Sequence, residues 1–174
     1  MSYVPSHRPS AGEELGKPNA LTVIEHTGST TQTVTAGNKI DIGTVHNWYG
    51  SFTPTISNNI FTLPSGYWYY IESAVQSYVV GTLINNIHFS FQHYDETSSA
   101  DLGTLATNFG VYGASQDTFL YSRDACAKAL IDCTTSAMDV SIRVSSYYVF
   151  DRINYNSGQE YSGLGRTVIW QLNA

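Results

Sequence analysis

The stretch from Phe61 to Val80, FTLPSGYWYYIESAVQSYVV, restricts the choice of fold more than any other part of the chain. A Pro-Ser-Gly turn leads directly into a long run of aromatic and β-branched residues, which is typical of a strand. Successive side chains of a strand point to opposite faces of its sheet. One face is therefore predicted to hold Tyr67, Tyr69, Ile71, Ser73 and Val75, and the other Trp68, Tyr70, Glu72, Ala74 and Gln76.

The composition favours strands over helices along the whole chain. Its 174 residues include 13 Tyr, 7 Phe and 3 Trp, and only 13% are charged. This length is typical of one domain. From Ala20 onward, short apolar segments alternate with turn residues, and about eight to ten strands at this spacing imply a sandwich or barrel. We predict an all-β domain from Ala20 to Ala174, preceded by an extended arm from Met1 to about Asn19.

Several strands can be located from the alternation of apolar and polar residues. The most regular is Met138 to Phe150, in which every second residue from Val140 to Val144 is β-branched. The last predicted strand alternates as well, with Val168, Trp170 and Leu172 on one face. Further strands are predicted at Leu21 to Glu25, Lys39 to Val45, Ile60 to Leu63 and Ile84 to Tyr94.

Charge and hydropathy argue against two classes of partner. The net charge is −6 and the eight Lys and Arg residues are scattered, whereas binding to phosphates requires a cluster of cations. No apolar run approaches the roughly 20 residues that cross a bilayer, and the first residues, MSYVPSHRPS, do not resemble a signal peptide. We therefore expect synthesis in a cytoplasm and no nucleic-acid or membrane partner.

The two cysteines, Cys126 and Cys133, lie in the segment ACAKALIDC, which fits either a strand or a short helix. Seven extended residues span roughly 23 Å, whereas the Cα atoms of a disulfide lie within roughly 7 Å. In a reducing cell, two free thiols are the simplest interpretation. Without a third and fourth ligand nearby, the pair does not predict a zinc site.

No pattern in the chain predicts an enzyme. His88 and His93 would lie on opposite faces of one strand, which separates them as metal ligands. Asp95, Glu96 and Asp101 predict a solvated acidic loop better than a calcium site, because the spacing of known calcium loops is missing. The G-x-S-x-G elbow of many hydrolases is missing as well. We expect no catalytic residues, no metal and no cofactor.

The order of three motifs resembles a known family. These are F-x-L-P-x-G from Phe61 to Gly66, V-x-I-x-V from Val140 to Val144, and S-G-x-G…V-x-W-x-L from Ser162 to Leu172. They resemble the tumour necrosis factor-like jelly roll, which includes the globular heads of complement's first component, over a region from about Asn38 to the C-terminus. The resemblance implies a ten-stranded Greek-key sandwich that forms a homotrimer. It implies a trimer interface at Tyr67, Tyr69, Tyr70, Tyr147 and Tyr148.

Trimeric jelly rolls of this kind also resemble phage virion parts, and no collagen-like stalk, signal peptide or membrane anchor points to an extracellular animal ligand. The resemblance implies a capsid decoration (cement) protein on the virion surface that bridges subunits of the major capsid protein. The alternative is the receptor- or glycan-binding tip of a tail fibre or spike, in which the exposed loops Ser98 to Gly103 and Asn154 to Gly163 carry the essential contacts. The aromatic run from Trp68 to Tyr70 is explained more simply by core and interface than by a sugar platform. For the first function, the residues expected to bind the capsid lie in the arm: Tyr3, Val4, Pro5, His7, Arg8 and Pro9.

Overall fold

The computed structural model describes residues 18–26, 31–33, 35–50, 52–75, 77–79, 87–110, 118–120, 126–148, 152–154 and 165–173. Within these ranges the chain forms strands and no helix. The arm residues predicted to bind a capsid, from Tyr3 to Pro9, lie outside the described residues. The strands are β1 (Ala20–Glu25), β2 (Thr31–Thr33), β3 (Val45–Tyr49), β4 (Thr55–Ser57), β5 (Ile60–Leu63), β6 (Tyr67–Ala74), β7 (Ser77–Val79), β8 (Ile87–Asp95), β9 (Ala100–Gly110), β10 (Thr118–Leu120), β11 (Cys126–Cys133), β12 (Met138–Tyr148), β13 (Arg152–Asn154) and β14 (Arg166–Leu172).

Ten of these strands form two antiparallel five-stranded sheets. The first sheet has the order β11-β6-β14-β1-β3, and the second has the order β4-β5-β12-β8-β9. Four three-residue strands form a smaller sheet in the order β10-β7-β13-β2. Most neighbours within the two large sheets are far apart in sequence, as in Greek-key connections. The prediction of an all-β sandwich with ten principal strands is confirmed.

The core lies between the two large sheets and follows the alternation of the sequence. In β6, Tyr69, Ile71 and Ser73 lie on one face, as predicted; this face is buried, and the residues between them are only partly buried. In β12, the branched residues from Val140 to Val144 are buried in the same manner. Burying a large apolar side chain contributes about 1.5–3 kcal/mol. The largest fully buried side chains are Tyr69, Phe61, Phe91, Ile24, Ile40, Leu63, Ile71 and Ile142.

The structure corrects the predicted conformation of one segment and decides that of another. Between Lys39 and Val45, the prediction of a strand is wrong up to the start of β3, because only one bridge forms, from Lys39 to Arg143. Its apolar residues, Ile40 and Ile42, are nevertheless buried in the core.

The segment that fits either a strand or a helix by its sequence forms the strand β11. Its Cys133 is buried and is not part of a disulfide. Burial raises the pKa of the Cys133 thiol to about 11, so this thiol stays protonated near neutral pH.

The prediction of a solvated acidic loop is wrong for Asp95 and Glu96. Asp95 accepts hydrogen bonds from the Thr97 N–H at 2.8 Å and from the Ser98 hydroxyl at 2.6 Å, which closes the turn between β8 and β9. Asp101, on the next strand, is exposed as predicted. Asp95 therefore closes the hairpin, and Glu96 is bonded to β12, so neither carboxylate is free in solvent.

Glu96 is the centre of a charged cluster that joins this hairpin to β12. Its carboxylate accepts two hydrogen bonds from Arg143 Nη2, at 2.8 and 3.0 Å, and one from the Ser141 hydroxyl. Lys39 Nζ lies 3.3 Å from the same carboxylate, and the guanidinium of Arg143 stacks 3.7 Å from the centre of the Tyr94 ring. Burial raises the pKa of Glu96, but the hydrogen bonds from Ser141, Arg143 and Lys39 outweigh it and keep this pKa below its ordinary value.

Replacing Glu96 with Gln is expected to lower the free energy of unfolding at pH 7 by about 1–3 kcal/mol, because two cations lose their counter-charge. A carboxylate with a lowered pKa in the folded state stabilises above its unfolded pKa and loses this effect as the pH falls through its folded pKa. The difference between wild type and Glu96→Gln should therefore shrink below about pH 4. Urea unfolding at several pH values measures it. The exposed Asp101→Asn is the control, and an equal loss in both variants would contradict the role of Glu96.

The two large sheets are also tied directly at one side. There β9, at the edge of the second sheet, contacts β11, at the edge of the first. Thr104 Oγ1 accepts a hydrogen bond from the Lys128 N–H at 3.0 Å and donates one to the Lys128 carbonyl oxygen at 3.3 Å. Gly103 allows this approach, because its φ is +67° and a Cβ added to it would lie 1.9 Å from the Lys128 oxygen.

Candidate interaction surface

The face of the first sheet that points away from the second sheet is unusually apolar. In β14 the residues that face the core are Thr167, Ile169 and Gln171, two of which are polar. The apolar stripe of this strand, Val168, Trp170 and Leu172, occupies the opposite, outward face and is only partly buried. The predicted stripe is therefore real, but it points away from the core.

Strand register aligns four large side chains across this outward face. Leu21 pairs with Trp170, Trp170 pairs with Tyr70, and Tyr70 pairs with Leu130, which crosses β1, β14, β6 and β11 in turn. The rings of Tyr70 and Trp170 are 5.3 Å apart between centroids. We call Leu21, Trp170, Tyr70 and Leu130 the apolar row. Directly opposed side chains in adjacent strands contact one another, so the row forms a continuous apolar strip.

A polar pair limits the apolar row on one side. Two residues along the strands from Tyr70 and Leu130, Glu72 of β6 pairs with Lys128 of β11, and their charged groups lie 3.3 Å apart. The Tyr70 hydroxyl donates a hydrogen bond of 2.7 Å to the same Glu72 carboxylate. This hydrogen bond raises the pKa of Tyr70, which remains a neutral phenol in the physiological range. Tyr70 thus presents its ring to the row and its hydroxyl to the polar pair.

The most exposed large apolar side chains lie near both edges of the first sheet. Leu130, at the β11 end of the apolar row, is 62% exposed, and Trp48, on the edge strand β3, is 70% exposed. Leu105, which is 49% exposed, lies on β9, the strand of the second sheet that contacts β11. Single exposed apolar residues are common, but a continuous apolar row with an exposed end at Leu130 is typical of a contact surface.

The structure separates the tyrosines predicted for a trimer interface. Tyr70 lies in the apolar row, and Tyr67 is exposed at the start of β6. The prediction that Tyr69 lies in a trimer interface is wrong. Tyr69 is fully buried in the core and its hydroxyl donates a hydrogen bond to the Pro64 carbonyl, so it cannot contact a partner. Tyr147 and Tyr148 lie at the end of β12 in the second sheet, and their side chains are outside the described part.

Sequence reasoning missed Leu21, Trp170 and Leu130 as surface residues. The alternation of β14 gave a usable signal, because it showed which residues share a face. It did not show which face is inside, since Thr167 and Gln171 are polar residues that the core accepts through hydrogen bonds. The Gln171 amide, for example, donates to the Tyr69 hydroxyl at 3.2 Å.

Reactive side chains in the described part of the chain do not form an accessible site. The Ser73 hydroxyl lies 2.7 Å from His93 Nε2, a pairing that resembles a nucleophile with its base, but both residues are fully buried. Within the described ranges, no group of three His, Cys, Asp or Glu residues is placed to hold a metal ion. The same ranges contain no helix long and apolar enough to span a membrane.

Comparison with known proteins gives one kind of match. No protein-family model matches the sequence, and no curated protein matches it. Among solved structures, that of Eiger TNF from S. frugiperda is similar, with a TM-score of 0.51 and 10% sequence identity; the match covers 91% of this chain and 96% of the other. At this identity the likeness establishes the fold alone. Together with the two five-stranded antiparallel sheets, it identifies the domain as a TNF-like jelly-roll β-sandwich.

Proposed function

We propose that this chain is a virion structural protein: a homotrimeric decoration, or cement, protein that stabilises a phage head by bridging subunits of the major capsid protein. In this proposal the jelly roll supplies the trimer, and the arm from Met1 to about Asn19 supplies the contact with the capsid. The apolar row on the outward face of the first sheet is the observation on which the proposal mainly rests.

The apolar row favours assembly of the chain with copies of itself. An apolar surface of this kind gains free energy when it leaves water, at about 25 cal/mol for each Å² buried. Leu130 and Leu21 lie at opposite ends of the row, so the β11 side of one copy can pack on the β1 side of the next. Contacts between two different surfaces form rings when the rotation closes, and three copies give the smallest ring that such contacts form.

The composition of the arm favours attachment to a larger assembly. Three of the five prolines lie in the first 18 residues, at Pro5, Pro9 and Pro18, and no periodic apolar pattern accompanies them. Proline disfavours helix and restricts the free peptide, which lowers the entropy lost when an extended segment binds. An extended peptide projecting from each protomer suits binding across the surface of neighbouring capsid subunits.

Three arms in one trimer would act together on the capsid. A ligand that binds the assembled lattice and not the dissociated one stabilises the lattice by RT ln(1 + [L]/Kd). Once one arm of a trimer is bound, the other two bind at a high effective concentration, so weak individual contacts give tight attachment. The proposed function requires no catalytic residue, no metal and no cofactor.

Removing residues 1–17 is expected to leave the trimer intact and to abolish attachment to capsids. The described strands begin at Ala20, so the deletion spares both large sheets. Light scattering measures the mass of the truncated protein, and co-sedimentation with undecorated capsids of the phage that encodes it measures attachment. The full chain is the control. A truncated protein that still sediments with capsids would contradict the role of the arm.

Trp48 favours the second candidate, the receptor- or glycan-binding tip of a tail fibre. Its ring is 70% exposed, and an exposed flat ring at a sheet edge can stack on the face of a sugar. The two candidates differ in their essential residues. If Trp48→Ala abolishes binding to host cells while removal of residues 1–17 has no effect on it, the fibre-tip function replaces the decoration function.

A further inference from the structure

Four buried side chains form a continuous hydrogen-bonded chain between the two large sheets. His93 Nε2, in β8 of the second sheet, lies 2.7 Å from the Ser73 hydroxyl in β6 of the first. Ser73 Oγ lies 2.7 Å from Thr167 Oγ1 in β14, which in turn lies 2.9 Å from Nε2 of His26, the residue that follows β1. All four residues are 0% exposed. We call them the buried polar chain.

The number of protons fixes the direction of the buried polar chain. Its three hydrogen bonds need one proton each, and the two hydroxyls supply only two. At least one histidine must therefore donate from Nε2, and every proton of the chain has an acceptor within it when the other histidine accepts at Nε2 and carries its proton on Nδ1. If both rings donated, one hydroxyl proton would lose its acceptor in the chain. If both accepted, the contact between Ser73 and Thr167 would have no proton. Two neutral rings in opposite tautomers thus form all three hydrogen bonds and leave no proton of the chain without an acceptor.

The surroundings of the two rings provide no compensation for a positive charge. Within the described ranges, neither His26 nor His93 has an ion-pair partner, and neither Nδ1 atom has a hydrogen-bond partner. The backbone of Gly165 packs against His26 so closely that a Cβ on it would lie 2.6 Å from Nδ1. An unpaired charge in such a site is far more costly than a neutral ring.

The charged and titratable groups on the neighbouring elements are engaged elsewhere or are neutral. On β8 itself, Asp95 is bonded to Thr97 and Ser98. From β11 the facing group is Cys133, which is protonated near neutral pH. The partners of His93 in its own sheet are the apolar Ile142 of β12 and Leu102 of β9. Across the core, the electrostatic neighbour of His93 is His26, so a charge on one ring opposes a charge on the other.

We propose that the buried polar chain is an acid-sensitive lock between the two sheets: it holds them together while both histidines are neutral and opens when they are protonated. A proton added to the accepting ring turns that ring into a second donor, so one hydroxyl proton loses its acceptor in the chain and the ring carries an unpaired charge in the core. A proton added to the donating ring leaves an unpaired charge in the core. Either event weakens the contact between β8 and the first sheet.

The direction of the pH effect follows from the two histidines. Burial lowers the pKa of His26 to about 3, and burial together with the charge of His26 lowers the pKa of His93 to about 3. In the unfolded chain both rings return to the ordinary value of about 6.5. Their contribution to stability is therefore complete above pH 6.5 and is lost as the pH falls below it. Between pH 7.5 and 5.5, each histidine should raise the unfolding constant about tenfold, or about 100-fold together.

The test is urea unfolding at fixed protein concentration, at pH 7.5 and at pH 5.5, of wild type and of the double variant His26→Gln, His93→Gln. Glutamine can donate or accept near the position of Nε2, but it cannot take up a proton in this range. The wild-type unfolding constant is expected to rise about 100-fold more than that of the double variant. The control is His46→Gln, an exposed histidine beside Glu25, which should retain the wild-type rise. Equal rises in wild type and double variant would overturn the proposal.

A measurement on the wild-type protein makes the test independent of how the variants fold. Nitrogen-15 chemical shifts of the histidine rings report both protonation and tautomer. In the folded protein, His26 and His93 are expected to stay neutral from pH 7.5 to 5.5, one protonated on Nδ1 and the other on Nε2. A ring that titrates near pH 6.5 in the folded state, or two rings in the same tautomer, would overturn the proposal.

Discussion

Replacing Leu130 with Glu is expected to convert the proposed trimer into a folded monomer. In a single chain this side chain is 62% exposed, so the substitution should change the stability of the monomer by no more than about 0.5 kcal/mol. In the proposed assembly the apolar row is covered by a neighbouring copy, and a carboxylate there would be buried without a partner. We expect a loss of at least about 2 kcal/mol at each contact, or roughly 30-fold in each association constant.

Light scattering at several protein concentrations measures this effect. The wild type should have three times the chain mass of 19.1 kDa, and Leu130→Glu should have the mass of one chain. The matched control is Thr55→Glu, which places the same charge at an exposed position on β4, at the edge of the second sheet. A trimeric Leu130→Glu would remove Leu130 from the interface. A monomeric wild type would contradict the trimer itself.

Replacing Gly103 with Ala is expected to destabilise the domain by more than about 3 kcal/mol, which is a large part of the roughly 5–15 kcal/mol that stabilises an ordinary domain. Two costs add at this position. The φ of +67° is unfavourable for a residue with a Cβ. The new Cβ would also lie 1.9 Å from the Lys128 oxygen and 2.7 Å from the Ala129 Cα. Both atoms belong to the backbone, so relief requires β9 and β11 to move apart.

Gly66→Ala separates the two costs. Gly66 also has a positive φ, of +98°, but a Cβ added there would meet no atom within 4 Å. This variant should lose only the conformational term, about 1–2 kcal/mol. The yield of soluble protein and urea unfolding compare the two variants. If Gly103→Ala is as stable as Gly66→Ala, the close approach of β9 and β11 does not constrain the fold.

The sequence predicted the strands whose pattern is long and regular. β5 begins and ends where predicted, and β12 and β14 agree to within two residues. β6 begins at Tyr67 as predicted, but it ends at Ala74, well before the predicted end at Val80. The segment from Cys126 to Cys133 remained ambiguous because it is short and rich in Ala, and its pairing with β6 decides its conformation. The three-residue strands of the small sheet have too few residues for a period to be recognised.

The candidate surface was only partly predictable, for a different reason. Periodicity shows which residues of a strand share a face, but the choice between the inner and outer face depends on what the rest of the fold places opposite. Thr167 faces inward because Ser73 and His26 meet it there, and these residues are 94 and 141 positions away in sequence. The ion pair between Glu96 and Arg143, 47 positions apart, was missed for the same reason. Tyr70, by contrast, lies in the predicted strand and on its predicted face.

The two sides of the sandwich differ in how they can open. On one side the chain itself passes from β3 to β4 through residues 50–54, and this covalent link persists in every state of the protein. On the other side the link consists of the approach at Gly103 and the hydrogen bonds between Thr104 and Lys128. Of these two links, only the second can separate without breaking the chain. Turns of the chain at residues 64–66 and 134–137 also join the two sheets, so local opening is expected to be largest where β9 leaves β11 and to leave β6 and β11 attached at those turns.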